Sequence, residues 1–184
     1  MIFDAYREEK QMNRLISILV ALLVFSLFSC RKIEKLPPEP MIEFRSFSLF
    51  DTIDILGNAA KAGKLTFYFE DGDGDLGLPH PDTTGSSTAS NLFLQLFRQT
   101  DGEFVPVTMS DPLYPSEYRI PYMETPGQNK ILRGTIDVTL IYFFYNPLDT
   151  LYYDFWIRDR SGHDSNTATT CVIVLGDNGT CLPG

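Results

Sequence analysis

The chain is short of histidine, of cysteine, of positive charge and of helical periodicity, and each shortage removes a class of function. Only His80 and His163 are present, with three cysteines, and no G-x-S-x-G, H-E-x-x-H or Cys and His pairing can be traced. Ser165, His163 and Asp159 or Asp164 can be spelled as a Ser, His, Asp set. Close neighbours in sequence cannot easily give nucleophile, base and orienter their mutual hydrogen bonds, so a solvated turn histidine is expected and no enzyme. A paired-carboxylate glycosidase would need a cleft that small sandwiches rarely enclose. Lysine and arginine number 15 against 24 aspartates and glutamates, a net charge of −9 that repels nucleic acid and anionic membranes. What the chain does have is apolar residues, 43% of the total, enough to rule out disorder and to build one core.

Long hydrophobic runs are also scarce. The one uncharged run, LISILVALLVFSLF (15–28), follows Arg7, Lys10 and Arg14 and is too short to span a bilayer comfortably, so it reads as a signal-peptide h-region. LFSC (27–30) then places an aliphatic residue at −3, a small one at −1 and a cysteine, and it resembles the lipobox of bacterial lipoproteins. That resemblance implies cleavage before Cys30 and a covalent lipid on its thiol, with a plain secretory signal or a membrane anchor as the competing reading. The acidic start MIFDAYREEKQ suggests Met12 as the initiator, which N-terminal sequencing of the precursor would test. Residues 1–29 are thus expected to be a signal peptide and 30–40, including the proline-rich RKIEKLPPEP, a lipidated tether. Attachment to the membrane would come from the lipid, because no other apolar stretch is long enough and free of strand-like alternation.

Residues 41–184 alternate with a period of two. KLTFYFE sets Leu65, Phe67 and Phe69 on one face, GTIDVTLIY sets Ile136, Val138 and Leu140 on one face, and LYYDFWIRD does the same with Leu151, Tyr153, Phe155 and Ile157. Strands are expected near 42–50, 64–70, 91–98, 103–108, 131–143, 151–158 and 167–175, with a possible short helix only at GNAAKAGK (57–64). Seven such strands predict an all-β, immunoglobulin-like antiparallel β-sandwich. The loop at 79–90 is polar, and the Pro- and Tyr-rich segment 110–130 is suited to packing over a sheet edge. Cys171 and Cys181 either pair across the GDNG turn (176–179) or remain separate thiols. A simple hairpin there would put Val174, not Cys171, opposite Cys181.

EDGDGDLG (70–77) carries the strongest site signal. On an extended strand Asp71, Asp73 and Asp75 would stand about 6.6 Å apart, too far to share an ion. Gly72 and Gly74 let the backbone curl, and hard carboxylate oxygens suit calcium over zinc or copper. The EF-hand pattern fails, with Leu76 at its sixth position and Asp82 at its twelfth. If the loops after 64–70 and 151–158 leave the same end of the sandwich, Asp159, Asp164 and Asn166 lie beside this loop, and Asp159 and Asn166 are candidate further ligands. The competing reading is an ordinary acidic turn bonded to its own amides. One sheet would also gather Phe93, Phe97, Tyr152, Trp156, Val172 and Val174 on its outer face. Such a face is either a partner surface or sugar platform, or is covered by Tyr114, Tyr118 and Tyr122.

FYFEDGDGDLGL, LFLQLFRQTDGEF, YRIPY, ILRGTIDVTL and WIRDRSGHDSN, in this order, resemble a group of Bacteroidota lipoproteins with one small β-sandwich domain. The resemblance covers most of 41–175 and implies outer-membrane anchoring without naming an activity. Arg31 stands where an inner-membrane retention signal has aspartate, so that signal is missing. The expected function is a lipid-anchored binding or adhesion module, with an envelope protein or glycan as partner. A structural accessory subunit of an outer-membrane assembly, such as a nutrient-uptake system, is the alternative.

Overall fold

The computed structural model describes residues 12, 14, 16–18, 36–80, 90–115, 117–124 and 130–184. Cys30, most of the apolar run before it, the tether up to residue 35, most of the 79–90 loop and parts of 110–130 lie outside the described residues. A compact unit begins at Leu36, ahead of the expected boundary at Met41, and runs to Gly184.

Its strands are β1 (Met41–Ile53), β2 (Ala59–Asp71), β3 (Leu92–Thr100), β4 (Glu103–Pro106), β5 (Leu132–Tyr142), β6 (Thr150–Ile157), β7 (Ala168–Thr169), β8 (Ile173–Val174) and β9 (Gly179–Cys181). One sheet has the order β5-β2-β1-β9 and the other β4-β3-β6-β7, with β8 also on β6, and every named pair of strands is antiparallel. β1, β2 and β5 face β3 and β6 across one core, which is the immunoglobulin-like division of strands.

The alternating residues point inward as their period demands. Leu65, Phe67 and Phe69 of β2 share one buried cluster with Leu92, Leu96, Phe155 and Ile157, and Phe67 lies 5.3 Å from Phe155 between ring centres. In β1 the inward set changes parity, from Ile42 and Phe44 to Phe47 and Leu49. A β-bulge between Phe44 and Ser46 makes that change, since an extra residue exchanges the two faces of a strand. Phe47 then stacks on Tyr153 with centroids 6.0 Å apart, and the Tyr153 and Tyr142 hydroxyls bond to each other at 3.0 Å. Burial pushes both phenols above their ordinary pKa.

Two expectations need correction. The stretch 57–64 is not helical: from Ala59 it extends β2, paired to the end of β1 on one side and, from Lys61, to β5 on the other. Ala-rich propensity yields there to two neighbouring strand edges that need partners. The strand expected at 167–175 is two short pieces, β7 and β8, interrupted where Thr170 is buried and its hydroxyl accepts the Tyr153 N–H. The chain then leaves the second sheet, and β9 joins the edge of β1. Cys171 and Cys181 form a disulfide between these two parts, with Cα atoms 6.3 Å apart; the simple hairpin that would have misaligned them does not form.

Leu113 and Ile120, from the Pro- and Tyr-rich segment, are buried in the core. Tyr118 exchanges backbone hydrogen bonds with Leu92 at 3.1 and 3.2 Å, and Tyr122 bonds to Leu78. The buried Asn91 side chain accepts the Ile120 N–H at 2.6 Å. These described residues therefore close a sheet edge, bonded to Leu78, Asn91 and Leu92, and the Arg160 guanidinium lies over the Tyr122 ring.

Candidate functional site

The acidic loop begins where β2 ends. Leu76 is fully buried and pins the loop to the core, and its N–H donates to Asp71 Oδ2 at 2.7 Å. Gly74 has φ +71°, the left-handed conformation that bends the chain between its two anchored ends. The bend brings one ligand oxygen from each of Asp71, Asp73 and Asp75 to within 4.8 Å of one another. Asp71 is fully buried, while Asp73 and Asp75 are half-buried.

The hydrogen-bond accounting of this loop does not balance. Asp71 Oδ2 is satisfied by Leu76, and Asp75 Oδ2 accepts from Ser161 Oγ at 2.6 Å. The Oδ1 atoms of all three aspartates are buried with no donor, and among the described residues none of the three forms an ion pair. Burial pushes the Asp71 carboxyl up to about 6, helped by Asp73 and Asp75 and opposed by the Leu76 N–H. Converging acceptors without donors are an arrangement that a metal ion can satisfy.

The loops after β2 and after β6 do meet at this end. Besides Ser161, the Arg160 N–H reaches Asp75 O at 3.4 Å, and its guanidinium donates to Gly77 O at 2.9 Å. Asp159 and Asn166, however, are engaged elsewhere. Asp159 is buried, with Oδ1 accepting the His163 N–H and Oδ2 paired with His163 Nδ1, each at 2.8 Å. That hydrogen bond, followed by the Asp159 charge, raises the His163 pKa. Asn166 is spent on the backbone of Ile42, accepting from its N–H at 2.8 Å and donating to its carbonyl at 2.9 Å. The structure brings together Asp71, Asp73 and Asp75 and leaves these two outside. Asp164 is held by both arms of Arg158, and Ser165 Oγ is bonded to Ile157 N–H and Asn166 O, away from the His163 ring.

On the outer face of β3 and β6, Phe93 stacks on Trp156 at 5.4 Å and Phe97 on Tyr152 at 4.8 Å. Phe104 adds an edge contact to Tyr152, and Arg158 lies over Phe93. All four expected residues are half-buried, with ring faces turned largely to one another; Val172 is exposed and Val174 half-buried.

A second apolar surface was not anticipated from sequence. Ile53, Ile55 and Leu56, at and beyond the end of β1, and Phe143, Phe144 and Leu148, after β5, are all exposed, Ile55 to 99% and Leu148 to 82%. β2 lies between β1 and β5 and carries both groups to the end opposite the acidic loop. Apolar residues inside turns break no periodicity, so the only sequence signal was their presence beside Gly, Asn, Pro and Asp, where turns are usually polar.

Fold and loop together define an all-β sandwich with an acidic, metal-competent end. Comparison with protein-family models, with curated proteins and with solved structures found no match.

Proposed function

We propose that the chain is a binding module of the cell envelope, held to the outer membrane by a lipid on Cys30, ordered at one end by calcium, and catalysing no reaction of its own. The observation that carries the reading is the set of three buried carboxylate oxygens without donors at Asp71, Asp73 and Asp75. Calcium suits them because it takes six to eight oxygens in flexible geometry, whereas zinc and copper favour nitrogen and sulfur. The Leu27–Cys30 motif supports the anchor, and a charge of −9 favours a lipid over a basic patch as the means of attachment.

Binding is supported by the exposed apolar loops at the opposite end, a kind of surface that isolated soluble domains seldom leave open. Asp54, Asp149 and Asp177 stand on the same loops or strand ends, beyond the Asp51–Lys61 ion pair, so the favoured occupant is an envelope protein with an apolar cleft and a basic rim. An anionic membrane, or a second copy of this acidic chain, would be repelled. A glycan on the outer aromatic face is less favoured, because those rings spend their faces on each other. An accessory subunit of an outer-membrane assembly would use the same apolar end and would co-purify with its partner in fixed ratio.

The test is thermal melting of the full-length protein in detergent, with calcium and with chelator, beside calorimetric titration. Calcium is expected to raise the melting temperature, by an amount equivalent to about 2.7 kcal/mol at a hundredfold excess of free ion over Kd. Asp73→Asn should lose the rise. Absence of any shift at millimolar calcium would return the loop to an ordinary acidic turn.

A further inference from the structure

Among the described residues Lys61 is the one buried cation, 4% exposed, and it stands near the start of β2, away from the acidic loop. Three side chains meet around its amine. Nζ donates to Asp51 Oδ1 at 2.6 Å, directly across the β1–β2 register, and to Asn178 Oδ1 at 2.9 Å, in the turn that leads into β9. The Asn178 amide nitrogen donates in turn to Asp51 Oδ2 at 2.7 Å. Each side chain therefore touches the other two. The ring of contacts also fixes which way the amide points, because the reverse orientation would set its NH₂ against the ammonium group, donor against donor. The Tyr145 ring covers Nζ from 5.8 Å.

An ion pair needs only Lys61 and Asp51, and the amide adds an electrophile. Asn178 Cγ stands one bond beyond the oxygen that Nζ already touches. Asp51 places one oxygen on the nucleophile and the other on the leaving nitrogen, both within the reach that proton transfer requires. Amines and amides are slow to react when free in water, but reactants held in contact gain effective molarities of about 10⁵–10⁸ M. We infer that Lys61 and Asn178 join in an isopeptide bond. Lys61 passes a proton to Asp51, and the neutral amine attacks Cγ. Asp51 then returns the proton to the amide nitrogen, and the original C–N bond breaks. The ammonium group of Lys61 and the carboxamide of Asn178 thus become a secondary amide and one ammonium ion, with Asp51 regenerated and no change of oxidation state. Asp51 and Asn178 are exposed, which gives the ammonia a way out. The step runs once per molecule, as a maturation without turnover. Its product ties β2, an inner strand of its sheet, to the turn before the edge strand β9.

The experiment is peptide mapping of the full-length protein by mass spectrometry, after prolonged incubation of the folded chain, reduction of the disulfide and digestion with trypsin. Wild type is expected to release 46–64 and 161–184 as one branched species, uncut at Lys61 and lighter than the two peptides together by one ammonia. Lys61→Arg keeps a cation beside Asp51 but supplies no nucleophilic amine, so 161–184 should appear alone. Asp51→Asn keeps the shape and removes the base, and the rate of linking should fall at least about a hundredfold. The wild-type map decides by itself, so a variant that folds poorly does not spoil the test. Wild-type peptides that stay separate, with Asn178 intact or hydrolysed to aspartate, would mean that the three side chains form a hydrogen-bonded ion pair only, and the inference fails. Linking at the wild-type rate in Asp51→Asn would overturn the role given to Asp51.

Discussion

Asp71 has no exposed surface and one oxygen without a donor, so ionising it is unfavourable and its pKa stands at about 6. In the unfolded chain the same group titrates near 3.9. Between those values the folded chain keeps a proton that the unfolded chain releases. Its contribution to stability is therefore complete below the lower value and is lost as pH rises toward the upper one. With chelator present, Asp71→Asn should remove that loss and melt higher than wild type at pH 7, by about 3 °C or more. Calcium at pH 7 should reverse the order, and its benefit should fade as pH falls below 6. Melting curves from pH 4 to 7, with and without calcium, check both halves; identical profiles for the two proteins would show that the carboxylate is already satisfied. The triad was legible in sequence because its three carboxylates stand at alternate positions of one short stretch and the glycines between them announce a bend. Asp159 and Asn166 were misplaced as ligands because their partners, His163 and the Ile42 backbone, are fixed only by tertiary packing.

At the level of the element, strict alternation made most of the strands readable, including the central cores of β2, β3, β5 and β6. What escaped was pairing that depends on neighbours. The first half of β2, Ala59–Gly63, has no large apolar residue, yet it is a strand because β1 and β5 flank it. Its small residues have packing reasons: Ala62 lies in register between Phe50 and Ile141, and Gly63 leaves room for the Phe47 ring. Gly63→Ala would place a methyl on that ring. Phe47 is only 1% exposed and has nowhere to move, so a loss of about 1–3 kcal/mol is expected in chemical denaturation. A helix at this position would have been indifferent to the change or improved by it. The apolar run Thr170–Leu175 misled in the opposite direction: it reads as part of one continuous strand, but it pairs with β6 only at Ile173–Val174 before the chain crosses to the other sheet at β9, and no local pattern encodes that break.

The unit Leu36–Gly184 has two unlike ends. The Asp71–Asp75 loop, the Leu36–Pro40 segment and the start of β1 occupy one, and exposed apolar loops occupy the other. If those loops are surface and not core, Phe144→Ser combined with Leu148→Ser should change stability by no more than about 0.5 kcal/mol, while lowering retention on a hydrophobic-interaction column. A larger loss on denaturation would mean that the two side chains hold the fold together. Between the ends runs β1, from Met41 at the acidic end to Ile53 at the apolar end, paired with β2 along its length and with β9 over Phe47–Leu49. Antiparallel ladder bonds lie perpendicular to the strand. A pull that entered at Phe143–Leu148, beyond the end of β5, and left through Met41 would reach β1 only through β2 and would load the ladder bonds in shear, all at once, instead of peeling them open one by one. The strand that joins the two ends is thereby arranged as a tension member, with the bond between Cys171 and Cys181 tying the strand beside it to the opposite sheet.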